Sequence, residues 1–140
     1  MVDMRLKKPV LLDGGMGREL SFRGVDISKP SWSAGALSSH PEVVQQVHLD
    51  YIKAGADIIT TNTYGIIRKD LEKEGIAHLF EDLNKKACRL AKKAVKKSNR
   101  DIKIAGALPP LQGSFRPDLV GPSSEIINLY EEQAEILAPY

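Results

Sequence analysis

The chain has 140 residues, 42% hydrophobic and 27% charged, the balance of an ordinary soluble domain with a single core. Twenty Lys and Arg against 18 Asp and Glu leave a net charge of +2, too weak a bias to argue for nucleic acid or an anionic membrane as partner. No apolar run reaches the roughly 18 residues a membrane span needs, and Met1–Pro9 shows no signal-peptide core. The one cysteine, Cys88, can make no internal disulfide, so a reducing, cytoplasmic setting is expected.

Short apolar runs alternate with amphipathic stretches. Val10-Leu11-Leu12 reads as a short buried strand, followed by Asp13-Gly14-Gly15 and a short helix around Arg18 to Arg23 that Gly24 ends. Residues 25–38 read as an irregular connection with Trp32 as its packing anchor. Ser39 and Glu42 have capping-box spacing, and Pro41 sits where a first turn tolerates it. The helix that follows carries the apolar stripe Val43, Val44, Val47, Tyr51 and Ala54, and Gly55 stops it. Asp57-Ile58-Ile59-Thr60-Thr61 suits a strand buried on both faces. Phe80, Leu83, Ala87, Leu90, Ala91 and Ala94 mark the inner face of a second long helix. Its basic residues, Lys85 to Arg100, read as a solvated face. A third strand, 102–107, leads through a Pro- and Gly-rich loop to a last helix. Ser123 caps that helix, and its inner face is Ile126, Ile127, Tyr130, Ala134 and Leu137.

Strands alternating with helices imply a parallel sheet with crossover helices. Both a doubly wound sheet and a (β/α)8 barrel fit that order. A barrel needs eight units and typically about 250 residues, whereas three units are visible. In both folds function collects at the carboxyl ends of the strands.

Asp13 stands directly after an apolar strand, where a carboxylate wants a cation or hydrogen-bond donors. A substrate ammonium group would serve, and so would the N–H groups of the next glycines in an Asx-turn. Gly14, Gly15 and Gly17 permit close approach of backbone to a ligand. They fit a dinucleotide fingerprint poorly, because Leu20 takes the place of its third glycine. The second strand ends in Thr60, Thr61, Asn62 and Thr63. Alternation points either Thr61 and Thr63 or Thr60 and Asn62 inward. These side chains either satisfy loop backbone or contact a ligand. His40 reads as part of a helix start, His48 as part of a charged face with Asp50 and Lys53, and His78 as a residue before a helix. None has a partner at metal-ligand spacing. Cys88 reads as a small buried apolar side chain.

Four collinear blocks carry a resemblance. They are Leu12-Asp13-Gly14-Gly15-Met16-Gly17-Arg18-Glu19-Leu20; Trp32-Ser33-Ala34 with His40-Pro41-Glu42-Val43-Val44; 54–65, from Ala54 to Gly65; and 105–110 with 113–118. Together they resemble the homocysteine S-methyltransferase family across nearly the whole chain. The resemblance implies a (β/α)8 TIM-barrel fold truncated to about its first three β/α units, with residues 1–140 as the N-terminal part of a homocysteine-binding barrel. It implies methyl transfer from a small donor to homocysteine sulfur, giving methionine, at a zinc ion held by three cysteines. It also implies substrate binding by Asp13, whose counterpart contacts the substrate amine, and by Gly14, Thr61, Asn62 and Thr63.

Arg18 and Ala107 depart from the family's usual Thr and Ser. The cysteine motifs G-x-N-C and G-G-C-C are absent, and Cys88 matches neither. The acidic residue that pairs with Asp13 around the amine is absent as well. The chain alone is therefore expected to hold no zinc and to be inactive, with self-association or a complementing C-terminal half as its partners. The other reading is a non-catalytic half-barrel used for binding or assembly.

Overall fold

The computed structural model describes residues 9–111 and 115–140. Gly113 and Ser114 of the fourth block, and nearly all of the stretch read for a signal peptide, lie outside the described residues. Two strands, β1 (Ile58–Thr60) and β2 (Lys103–Ala105), pair in parallel with Ile59 opposite Ile104. The first apolar run adds a parallel bridge, Leu12 to Ile58, on the other side of β1. The spatial order thus follows the chain order. The run 10–12 was expected to be buried, yet Val10, Leu11 and Leu12 are 63%, 50% and 65% exposed. Only one of its edges is paired among the described residues, and its inner face meets a cavity.

The helices decide between the two parallel architectures. Helix α3 (Pro41–Ala54) connects the first run to β1, and α5 (Phe80–Ser98) connects β1 to β2. Ile59 packs with Leu49 and Ile52 of α3 and with Ala91 and Ala94 of α5. Both crossovers therefore cover one face of the strands. A doubly wound sheet would split its helices between two faces, whereas this arrangement is the wall of a barrel-type fold. Helix α1 (Met16–Phe22), a 3-10 turn (Trp32–Gly35) and α2 (Ala36–Ser39) fill the stretch after the first run, most of which was read as irregular. Helices α4 (Arg68–Lys73) and α6 (Ser123–Leu137) complete the helical layer.

Several local expectations need correction. Pro41 does open α3, but the capping box does not form: Ser39 Oγ donates to Gly35 O, and no side chain caps the helix. Gly55 ends α3 as read, at φ 113°, a left-handed conformation that suits a residue without Cβ. The buried side of α3 is Val44, Val47, His48, Leu49 and Ile52, because the helix packs against α1, α2, α5 and the strands together. In α6 the side facing the protein runs through Ile126, Tyr130, Gln133 and Leu137, while Ile127 and Ala134 face solvent. Ser123 lies within α6, whose N-cap is Pro122. The solvated basic face of α5 is as read: Arg89, Lys92, Lys93, Lys96 and Lys97 are exposed.

His48 is the largest departure. It is fully buried rather than part of a charged face, and neither ring nitrogen has a hydrogen-bond partner among the described residues. Burial holds its pKa at about 4, below the ordinary value near 6.5. Between those two values the unfolded chain takes up a proton that the folded chain refuses. Stability therefore falls as pH drops through this window, by about 2 kcal/mol at pH ~5. His48→Leu is expected to raise the urea midpoint at neutral pH and to remove most of its decline towards pH ~5. An equal decline in the variant would show that His48 is not the responsible group.

Candidate functional site at the strand ends

Asp13 emerges from the first run and turns towards β1. Its Oδ2 accepts the Thr60 backbone N–H at 2.7 Å, and its Oδ1 accepts the Thr60 hydroxyl at 2.8 Å. Neither alternative raised for Asp13 anticipated this bond: the carboxylate is held by the neighbouring strand rather than by the glycines that follow it. The two strands are stitched below this point as well. Asp13 N donates to Ile58 O, and Asp57 Oδ2 accepts the N–H of Leu11.

The glycines after Asp13 lie against Tyr51 of α3. A Cβ on Gly14 would sit 2.7 Å from the Tyr51 hydroxyl oxygen, so any side chain there would displace the Tyr51 ring. Tyr51 Oη lies 3.4 Å from Gly15 O, and burial, aided by the charges of Glu19 and Asp13, raises its phenol pKa.

The Thr/Asn cluster binds three segments together. Asn62 Nδ2 donates to Ser33 O at 2.8 Å, and Ser33 Oγ donates to Asn62 Oδ1 at 2.7 Å. Thr63 Oγ1 donates to Ala107 O at 2.6 Å and lies 2.9 Å from Thr61 Oγ1. Ala107 N donates in turn to Thr61 Oγ1. Beneath them the buried Gln133 of α6 donates to Asn84 Oδ1 at 3.0 Å, with Thr63 O at 3.4 Å.

These groups surround a cavity of about 540 Å³, within the usual range for small-molecule sites. Asp13, Gly14, Thr61 and Asn62 line it, together with Thr60. Thr63 does not: it is fully buried, and its hydroxyl is committed to the Ala107 carbonyl. The two inward pairs offered by alternation are not exclusive, because the chain leaves extended geometry after Thr60.

Trp32, Ser33 and Tyr64 line the cavity and were not singled out as site residues from sequence. Trp32 is 57% exposed with φ 48°, so it stands at the cavity mouth rather than anchoring the connection. An aromatic residue in a Pro/Ser-rich connection was the available signal. The pairing of Ser33 with Asn62 left none.

A metal finds no home here. Among the described residues no group of three or more His, Cys, Asp or Glu side chains could hold one. Cys88 is buried in α5, and burial pushes its thiol pKa up, the reverse of what a ligand thiolate needs. The residues present do not fit the zinc that the sequence resemblance implied.

The fold and cavity define a parallel β/α protein of barrel type with a cavity at the strand carboxyl ends. Residues 10–139 match the family model for homocysteine S-methyltransferase, and the chain belongs to that family. It is 38% identical over 86 residues to homocysteine S-methyltransferase 3 of Zea mays, which covers 61% of this chain and 25% of that protein. It is also 38% identical over 82 residues to the selenocysteine Se-methyltransferase of Brassica oleracea var. italica, covering 58% and 24%. The metallated crystal structure of the homocysteine methyltransferase MmuM from Escherichia coli superposes with a TM-score of 0.82 at 28% identity, over 95% of this chain and 51% of that one. The chain thus spans about a quarter of these curated relatives and about half of the solved protein.

Gly65 shows how closely the walls are set, because a Cβ there would lie 2.4 Å from the Ser31 carbonyl oxygen. Gly65→Ala is expected to cost about 2 kcal/mol, since backbone must move to admit the methyl group. Urea denaturation measures this cost. An unchanged midpoint would mean that the Ser31 and Gly65 loops do not touch.

Proposed function

We propose that this chain is the N-terminal, substrate-binding portion of a zinc-dependent homocysteine S-methyltransferase. In that reaction the homocysteine thiol loses its proton, its sulfur forms a bond to a donor's methyl carbon, and the donor–methyl bond breaks, leaving methionine. The supporting observation is the shared cavity of Asp13, Thr60, Thr61 and Asn62. Asp13 presents a carboxylate whose orientation Thr60 sets and which has acceptor capacity left for an ammonium group. Gly14 lines the cavity beside it, its missing Cβ leaving room for Tyr51, and Thr61 and Asn62 form the wall. Thr63 acts one step back, holding Ala107 in place. The aromatic side chains of Trp32 and Tyr64, which line the cavity, suit a cationic methyl donor.

No catalytic residue is assigned within this chain. Three thiolates for zinc cannot come from a sequence with one cysteine, so the metal's ligands belong to residues outside these 140. The exposed edge at Val10–Leu12 and the side of β2 left unpaired among the described residues are where further strands of a complete eight-stranded barrel would pair. A reducing, cytoplasmic location accords with the lone buried thiol. No helix among the described residues is long and apolar enough to cross a membrane.

A second reading is a non-catalytic half-barrel that works as a binding or assembly module. The exposed apolar run Val10-Leu11-Leu12 favours it, since an unpaired edge invites a partner.

The purified chain alone is expected to carry no stoichiometric zinc by elemental analysis and to show no micromolar homocysteine binding by calorimetry. Both properties, and methyl transfer, are expected on mixing with the complementary half of a family member. Zinc in the isolated chain would overturn the division of labour proposed here. A sharp thermal transition with one oligomeric species on sizing, and no response to the complementary half, would favour the module.

A further inference from the structure

The cavity wall holds two charged side chains among the described residues, Asp13 and Arg18. Neither forms an ion pair with another described residue. Asp13 is held by Thr60 alone, and the Arg18 guanidinium lies 5.6 Å from the centre of the Phe22 ring, itself 74% exposed. The other charged residues nearby are spent on one another: Arg23 of the α1 C-cap pairs with Glu19 and Asp50. Arg18 and Asp13 thus flank the glycines of the first loop as a cation and an anion that both line one cavity and have no ion-pair partner among the described residues.

An α-amino acid carries an ammonium and a carboxylate on the same carbon, and one side chain of each sign matches that pair. We infer that Arg18 is the carboxylate-binding residue of this cavity and makes the site selective for the zwitterionic amino acid over the bare aminothiol. This rests on the reading of Asp13 as the ammonium site.

Several other donors of the wall are already engaged. The Thr60 hydroxyl donates to Asp13, and the Ser33 hydroxyl donates to Asn62. The Asn62 amide donates to Ser33 O, and the Thr61 hydroxyl shares a hydrogen bond with Thr63. Ala107 lines the wall without a hydroxyl of its own. A guanidinium offers a planar fork of N–H donors matched to a carboxylate. Its stacking on Phe22 leaves those edges available and costs little to rearrange at an exposed position.

The test uses the 15N-labelled 140-residue chain, titrated under reducing conditions with millimolar L-homocysteine and, separately, with 3-aminopropane-1-thiol, the same aminothiol without its carboxylate. Amide shifts around residues 13–18 and 60–62 report binding. The unaltered chain should prefer homocysteine. Arg18→Gln should weaken homocysteine about fivefold and leave 3-aminopropane-1-thiol unchanged, with Arg18→Lys in between. Asp13→Asn should weaken both ligands.

Equal homocysteine affinity in Arg18→Gln and the unaltered chain, or equal weakening of both ligands, overturns the role of Arg18. If Asp13→Asn still weakens both in that case, the amine site stands and Arg18 alone is excluded. Failure of the unaltered chain to bind either ligand overturns the substrate-site reading and this inference with it. Arg18 is exposed, so its variants should keep the amide pattern of the fold.

Discussion

The Asp13 carboxylate belongs to one strand and is oriented by the next. Both of its oxygens are engaged by Thr60, so its direction depends on the register that sets Leu12 opposite Ile58. A slip of one residue would turn Thr60 to the helix side and replace it with Ile59. The register is held from below by Asp57, whose carboxylate takes the N–H of Leu11 and whose own N–H donates to Leu11 O. Strand pairing, cavity shape and carboxylate direction are therefore a single constraint.

The polar cluster after β1 extends this constraint to the rest of the cavity. Its hydroxyls and amide are used first to build: Asn62 holds the Trp32–Gly35 turn through Ser33, and Thr63 holds the end of β2 through Ala107. Gln133 ties the same loop to α5 and α6. A wall assembled this way is in place before a ligand arrives, which lowers the cost of binding. Building does not withdraw these groups from the cavity, since Thr61 and Asn62 make these bonds and still line it.

The family match and the strand arrangement agree. Helices α3 and α5 cover one face of the strands, while Leu12 and Thr60 line the cavity on the opposite side. In a barrel the inward face is closed over by strands from the rest of the ring. The chain covers about half of the solved family structure it superposes on. Its first run is exposed and bridges β1 on one edge.

The order of strands and helices, the long helices α3 and α5, the stops at Gly55 and Gly24 and the solvated basic face of α5 were all legible in the sequence. Each is a local matter of periodicity, Gly and Pro geometry or charge. The collinear blocks around Asp13 and Thr60–Gly65 carried the family as well. What stayed hidden depended on contacts between distant segments. Periodicity cannot reveal that a helix such as α3 has neighbours on several sides, and so His48 was assigned to solvent. Nor can it show that Thr63 spends its hydroxyl on Ala107, that Asn62 meets Ser33, or that Trp32 stands at a cavity mouth. Local sequence determined which segments form and which chemical groups they carry. Only tertiary packing decided where those groups point, because a side chain's direction and partners are set by elements dozens of residues away.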